Sequence, residues 1–335
     1  MIQDARVLQQ EFIPKEIEHR HAEMNRLSDA LRPILDGQQP DNVFIFGPTG
    51  AGKTCVARYS LEKLREELLD IQYQYINCWQ DYNRFRVLYR MLEGIDSTLD
   101  IHRQSTPRDE LFERLREYDD MPYVVILDEV DQLEDMDVLY DLYTLRNITM
   151  IMIANEELEL FAGMDQRVNS RLQSSHRLQF DAYSNDELVG ILSDRVEWGF
   201  THDAISTRQL ETIADAAAGD ARVAIGILRS AARQAEQDGA DSIADTTITQ
   251  AIPAARSELH QQNIEKLNEH QQTVYDIVAD AEVITPGELY DRYEGAVSDP
   301  KTKRTVRNYL QKMVHYDLIE SEGEKRGREY RLNTQ

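Results

Sequence analysis

Gly47-Pro48-Thr49-Gly50-Ala51-Gly52-Lys53-Thr54 stands between a short β-branched and aromatic run, residues 42–46, and a helical pattern over residues 53–69. Its glycines, lysine and threonine have the spacing of a phosphate-binding loop, and strand before, helix after is the context such a loop requires. The glycines let backbone N–H groups turn inward around a β-phosphate, and the following helix adds its positive N-terminal end. Lys53 is expected to reach the β- and γ-phosphates, and Thr54 to offer its hydroxyl to Mg2+. Pro48, Thr49, Gly50, Ala51, Gly52 and Cys55 complete the expected nucleotide contacts.

Val124-Val125-Ile126-Leu127-Asp128-Glu129 supplies the second half of such a site. The apolar run over residues 123–127 reads as a strand buried on both faces, delivering Asp128 at its carboxyl end, where ligands sit in open α/β sheets. Asp128 is suited to hold Mg2+ through water, and Glu129 to orient or deprotonate an attacking water. Asn155 ends the next apolar run, residues 149–154. Its side chain either polarises that water, touches the γ-phosphate or caps a helix. Arg222, at the start of a later helix, is a candidate to reach the γ-phosphate across a domain cleft. ATP or ADP with Mg2+ are the expected cofactors.

Working outward, residues 15–36 read as a helix ending near Gly37, residues 71–77 as a strand and residues 176–180 as a shorter one. Strands alternating with helices predict a parallel sheet. From Ser184 the pattern is helical only. Ser184 and Glu187 form a capping box, Ser206 caps the next helix, and Gly219 is placed to end it. In the last part, Thr285-Pro286 and Asp299-Pro300 each read as an N-cap followed by a proline at the first helical position. Residues 319–321 and 329–332 read as two strands around a basic, glycine-containing tip. Three helices and a hairpin in that order predict a winged helix-turn-helix.

The chain of 335 residues is long enough for two or three domains. Its 61 acidic against 37 basic residues give a formal charge of −24, and only eight of the basic residues are lysines. Such a chain repels itself in dilute buffer, and molar salt would screen that repulsion over a few ångströms, so the composition is read as that of a halophile. Two cysteines, Cys55 and Cys78, make neither a disulfide framework nor a metal site. No apolar run suggests a signal peptide or a membrane span, and a cytoplasmic location with no membrane partner is expected.

With these motifs in this order, the chain resembles the archaeal replication initiators of the origin-recognition-complex and cell-division-control type, which are AAA+ ATPases. The resemblance extends through residues 12–14 with His19 and Arg20 (an adenine-side segment), the box Leu127-Asp128-Glu129-Val130-Asp131, Asn155 as a first sensor, and Gly219-Asp220-Ala221-Arg222 as a second. It implies an α/β AAA+ P-loop domain with a parallel five-stranded sheet over residues 1–181, a helical lid over 182–258 and a C-terminal winged helix-turn-helix domain over 259–335. It further implies nucleotide contacts from Tyr183 and Arg195, and an arginine, Arg167 or Arg171, presented to a neighbour's ATP. The implied activity is origin recognition and initiation with slow ATP hydrolysis as a switch. The partners are double-stranded DNA with origin repeats, the replicative helicase and a second initiator copy. The alternative is an ATP-gated DNA-binding regulator that loads no helicase.

Charge distribution supports the DNA reading. Residues 301–335 hold nine basic and five acidic residues, a net +4 in a chain of −24. Val306, Leu310, Met313 and Val314 form the expected core stripe of the recognition helix. Lys301, Lys303, Arg304, Arg307 and Asn308 are then candidates for DNA contact, and Arg with guanine or Asn with adenine are common base pairings. Lys325, Arg326 and Arg328 are wing candidates. The resemblance adds Arg84 and Arg86, in the extra helices of the ATPase domain. Counterion release weakens with salt, so a halophile's contacts must lean on base edges and shape. Duplex affinity is therefore expected to stay nearly flat above molar KCl in a salt titration, and a steep loss would contradict that reading.

Overall fold

The computed structural model describes residues 1–68, 70–98, 101, 106–323 and 327–333. They divide into two compact units, Met1–Pro253 and Ala254–Gln335. The first opens with a 3-10 turn, Ala5–Leu8, and continues with α1 (His21–Leu31), β1 (Val43–Phe46), α2 (Lys53–Glu67), β2 (Gln72–Asn77), α3 (Arg84–Glu93) and α4 (Arg108–Glu117). Then come β3 (Tyr123–Asp128), α5 (Asp137–Tyr143), β4 (Ile148–Ala154), α6 (Glu157–Gly163), α7 (Gln166–Leu172) and β5 (His176–Gln179). The strands form one five-stranded sheet in the order β2-β3-β4-β1-β5, and every pairing is parallel.

The period-2 alternation of strand side chains separates two cores. Phe44, Phe46, Val125, Leu127, Met150 and Met152 pack on one face with α3, α4 and α5. Val43, Ile45, Val124, Ile126, Ile151 and Ile153 pack on the other with α1 and α2. All six residues of β3 are buried, as a central parallel strand covered on both faces requires. From β1 the chain leaves toward β2 on one side, and β5 returns on its other side. The carboxyl end of β1 is therefore a topological switch point, where such sheets open a crevice for ligands.

After β5 come α8 (Asn185–Gly199), α9 (Thr207–Ala217) and α10 (Ala221–Gln237), and α11 (Asp245–Glu265) crosses the boundary between the units. The Ser184–Glu187 capping box forms as the sequence predicts. The end of α9 turns through Ala218 (φ 50°) and Gly219 (φ 91°). The N-terminal residues pack on this helical layer: Gln3 N–H donates to Gly199 O at 2.8 Å, and Thr201 N–H to Met1 O at 2.9 Å.

The second unit holds α12 (Glu269–Asp280), α13 (Pro286–Ala296), α14 (Lys303–His315) and the antiparallel pair β6 (Ile319–Glu322) and β7 (Glu329–Leu332). Ile284 and Tyr330 exchange backbone hydrogen bonds of 2.9 Å, so the α12–α13 connection adds a rung to the hairpin. That is the element order and pairing of a winged helix.

Two helix starts lie later than the sequence suggests. α1 begins at His21 rather than near residue 15, because His19 takes a left-handed φ of 66° and Arg20 is the N-cap. α14 begins after Thr302, not at Pro300: the Thr302 hydroxyl accepts from Thr305 N–H at 3.2 Å. Leu127 is fully buried in the first core. Leu127→Ala should lower unfolding free energy by about 2–5 kcal/mol, read as a drop in denaturant midpoint at unchanged slope.

Candidate nucleotide site and nucleic-acid face

The loop after β1 closes on Lys53. Its ammonium donates to Gly47 O at 2.6 Å, Pro48 O at 2.8 Å and Asn155 Oδ1 at 3.2 Å. Gly47 N–H in turn donates to Asn155 O at 3.1 Å, tying the ends of β1 and β4 together. Asn155 is thus a partner of the phosphate-loop lysine, not merely the residue before a helix. Gly50 (φ 75°) and Gly52 (φ 87°) adopt left-handed conformations that favour glycine. Burial pulls the Lys53 ammonium down to about 8; the Asp128 carboxylate opposes this and the charge of Arg222 adds to it.

Asp128 sits at the end of β3, beside Asn77 of β2. Its Oδ2 accepts from the Thr54 hydroxyl at 2.7 Å and from the Tyr75 hydroxyl at 2.9 Å. Burial raises its pKa, while the Thr54 and Tyr75 bonds and the Lys53 charge oppose the rise. The Thr54 hydroxyl spends its proton on Asp128, which leaves its lone pairs for a cation. A hard divalent ion such as Mg2+ prefers such oxygen donors, so this pair fits it. Glu129 follows in a left-handed conformation, φ 57° and ψ 47°. That costs a residue with a side chain about 1–2 kcal/mol and turns the backbone sharply after the strand.

The helical layer reaches this loop. Asp220 caps α10, accepting from Arg222 N–H at 2.7 Å and Val223 N–H at 3.3 Å. Its carboxylate also meets the position a Cβ on Gly50 would occupy, and Ala221 N–H donates to Gly50 O at 3.2 Å. Arg222 pairs with Asp220 at 3.1 Å. The Tyr183 hydroxyl fills the space a Cβ on Gly52 would need. Arg195 is buried, stacks over Phe12 at 5.3 Å and donates to Val7 O and Gln9 O. Burial pushes the Cys55 thiol up to about 11. Tyr75 lies outside every motif that the sequence offers, and Asp220, though inside Gly219-Asp220-Ala221-Arg222, has no contact of its own assigned there. A tyrosine in an amphipathic strand and an aspartate at a cap carry no local mark of a partner many residues away.

The other candidates stand as follows. Arg84 pairs with Asp141 at 2.7 Å. Arg86 donates to Gln80 O at 2.7 Å and lies over Tyr82 at 5.2 Å. Arg167 pairs with Asp165 at 3.1 Å and is largely exposed; Arg171 is exposed in the same helix. On α14, Val306, Leu310 and Met313 are buried as the sequence predicts; Tyr309 and Lys312 join them, and Val314 is only half-buried. Arg304, Arg307, Asn308 and Gln311 are exposed at i, i+3, i+4 and i+7 spacing, one face of the helix. Lys303 lies 4.5 Å over the Tyr290 ring, Lys301 and Arg328 are half-buried, and Lys325 and Arg326 lie outside the described residues.

A phosphate loop after β1, an asparagine bonded to it from the end of the adjacent β4, an acid at the end of β3 bonded to Thr54 and an arginine from a helical layer define an AAA+ nucleotide-binding module. A family model described as an AAA domain matches residues 36–161, and one described as a Cdc6 AAA+ ATPase-type lid domain matches residues 189–253. Two proteins of Halobacterium salinarum are similar over most of the chain. ORC1-type DNA replication protein 9 is 49% identical over 332 residues, covering 99% of this chain and 94% of that one. ORC1-type DNA replication protein 1 is 53% identical over 308 residues, covering 92% and 100%. The structure of the Aeropyrum pernix ORC1 protein in complex with DNA superposes with a TM-score of 0.77 at 26% identity, over 100% of this chain and 94% of that one. The chain belongs to the ORC1-type DNA replication proteins, the archaeal ORC1/Cdc6 group of AAA+ initiators. Among the described residues no helix is long and apolar enough to cross a membrane.

Because an anionic phosphate favours the charged ammonium, nucleotide binding should return a proton to Lys53. Burial holds its pKa at about 8, below the ordinary lysine value of 10.5, so the group disfavours folding below pH 8 and ceases to do so as pH rises toward 10.5. ADP binding at pH 8 should take up about half a proton, and little at pH 7. Calorimetry in buffers of different ionisation enthalpy reads this directly.

Proposed function

We propose that this protein is an ATP-dependent replication-origin recognition factor. It would bind duplex origin repeats through its second unit and recruit the replicative helicase, alone or with a second initiator copy. Hydrolysis would be slow and act as a switch. The observation that carries this reading is the convergence of Asp220 and Arg222 from the helical layer on the loop at Gly50 and Lys53. In an ORC1-type protein that arrangement makes domain geometry depend on what the loop holds.

The chemistry follows from the residues. Lys53 and the loop N–H groups bind the phosphates and position the γ-phosphoryl. Thr54 and Asp128 would hold Mg2+, which when bound neutralises charge on the β- and γ-oxygens. Glu129 accepts a proton from, or orients, the attacking water. Asn155 holds Lys53 toward the phosphates. Arg222 leaves Asp220 to meet the γ-phosphate, and returns when the phosphate is lost. Pro48, Thr49, Gly50, Ala51, Gly52, Cys55, Tyr183 and Arg195 line the nucleotide's other sides. Arg167 or Arg171 is the candidate for a neighbour's site.

Arg304, Arg307 and Asn308, with Lys301, Lys303, Lys325, Arg326 and Arg328, are the proposed DNA contacts of the winged unit, and Arg84 and Arg86 those of the core. Phosphate contacts would set register, and base-edge contacts from α14 would set sequence preference. Crosslinking and sequencing of bound genomic DNA tests this. Enrichment at one or a few intergenic repeat clusters is expected, abolished in a Lys303→Ala, Arg307→Ala variant. Scattered promoter sites would mean a regulator, and no enrichment would mean that the winged unit meets a protein.

A further inference from the structure

The chain passes between the sheet and the helical layer twice. Residues 1–9 belong by their contacts to the helical layer: Gln3 and Asp4 N–H groups donate to Gly199 O at 2.8 and 3.1 Å, and Arg195 donates to Val7 O. A Cβ on Gly199 would collide with Val7. By α1 the chain is in the sheet's core, where Leu27 and Leu31 pack. It returns to the helical layer at residues 181–184. Two tethers therefore connect these parts of the first unit.

Arg20 sits in the first tether, just before α1, and is 4% exposed. Its Nη2 donates to Asp181 O, in the second tether, at 2.6 Å. Its Nη1 pairs with Glu23 at 3.2 Å. The guanidinium lies 4.1 Å over the Tyr183 ring and 5.4 Å from that of Phe180. The Tyr183 hydroxyl in turn abuts Gly52, the N-cap of α2, and Tyr183 N–H donates to Gly219 O at 3.2 Å. Next to Arg20, His19 takes its left-handed turn and presses its ring against Gly190 of α8.

Stability alone does not account for this residue. A buried charge is often replaceable by an apolar side chain of similar size at no loss, and Arg20 Nε is buried without a hydrogen-bond partner among the described residues. What an apolar residue could not supply is the planar fork, which bonds one tether while stacking on its tyrosine.

We propose that Arg20 is a positioning residue that clasps the two tethers together and, through Tyr183, couples the angle of the helical layer to the phosphate loop. This rests on the nucleotide site described above. Nucleotide leaves when the helical layer swings off the loop, so a loosened clasp speeds release.

Release of fluorescent N-methylanthraniloyl-ADP by stopped flow, in the full chain, tests the clasp through a double-mutant cycle of Arg20→Met and Tyr183→Leu. Each change should speed release about tenfold, and the double variant should be no faster than the faster single one, because coupled residues are not additive. Multiplying fold-changes, or a lowered melting temperature with unchanged release in Arg20→Met, would overturn the proposal. Arg20→Lys keeps the charge without the fork and should release as fast as Arg20→Met; wild-type release would overturn the clasp too. Should Arg20→Met not fold, Arg20→Lys with Tyr183→Leu gives the same cycle. A wild type that binds no ADP analogue would instead overturn the nucleotide site, and the clasp with it.

Discussion

One ammonium group, that of Lys53, is drawn out of water by the carbonyls of Gly47 and Pro48 and the side chain of Asn155. Burying a cation is costly unless it is bonded and faced by opposite charge. The partners come from the ends of β1 and β4, and Asp128 comes from the end of β3. The sheet order puts these strand ends side by side, so the register of the whole sheet serves this position. The Gly47 and Pro48 carbonyls satisfy Lys53. With nucleotide the phosphates would compete for it, and the loop is prepared for that exchange because its glycines tolerate the backbone it needs.

The glycines of the loop have a second use. Asp220 rests where a side chain on Gly50 would stand, and the Tyr183 hydroxyl where one on Gly52 would stand. The missing side chains thus let the helical layer come down onto the backbone that faces the phosphates. A ligand at the loop and the position of the helical layer would then be read by the same few atoms, as the proposed nucleotide switch requires.

Local chemistry made much of this legible. The phosphate loop, the buried strand ending in Asp128 and the Ser184 capping box each announce themselves within ten residues, and the hairpin of the second unit within fourteen. What stayed hidden depends on partners far along the chain. Tyr75 bonds Asp128, Asp220 rests on Gly50, and Arg20 reaches Asp181, and none of these pairs leaves a spacing to read. Competing local signals explain the misplaced helix starts. Asp299-Pro300 is a good start in isolation, yet Thr302 offers a hydroxyl at the right distance and prevails. On α14 a strict apolar stripe left out Tyr309 and Lys312, because an aromatic ring and a long aliphatic stem can bury most of their length on a core.

Glu129, in its left-handed turn at the end of β3, is the residue proposed to activate the water that attacks ATP. Single-turnover hydrolysis of labelled ATP in molar KCl, wild type against Glu129→Gln, tests that role most directly. Both should bind ATP with similar affinity, and only the wild type should release phosphate. Equal phosphate release by the two proteins would contradict it.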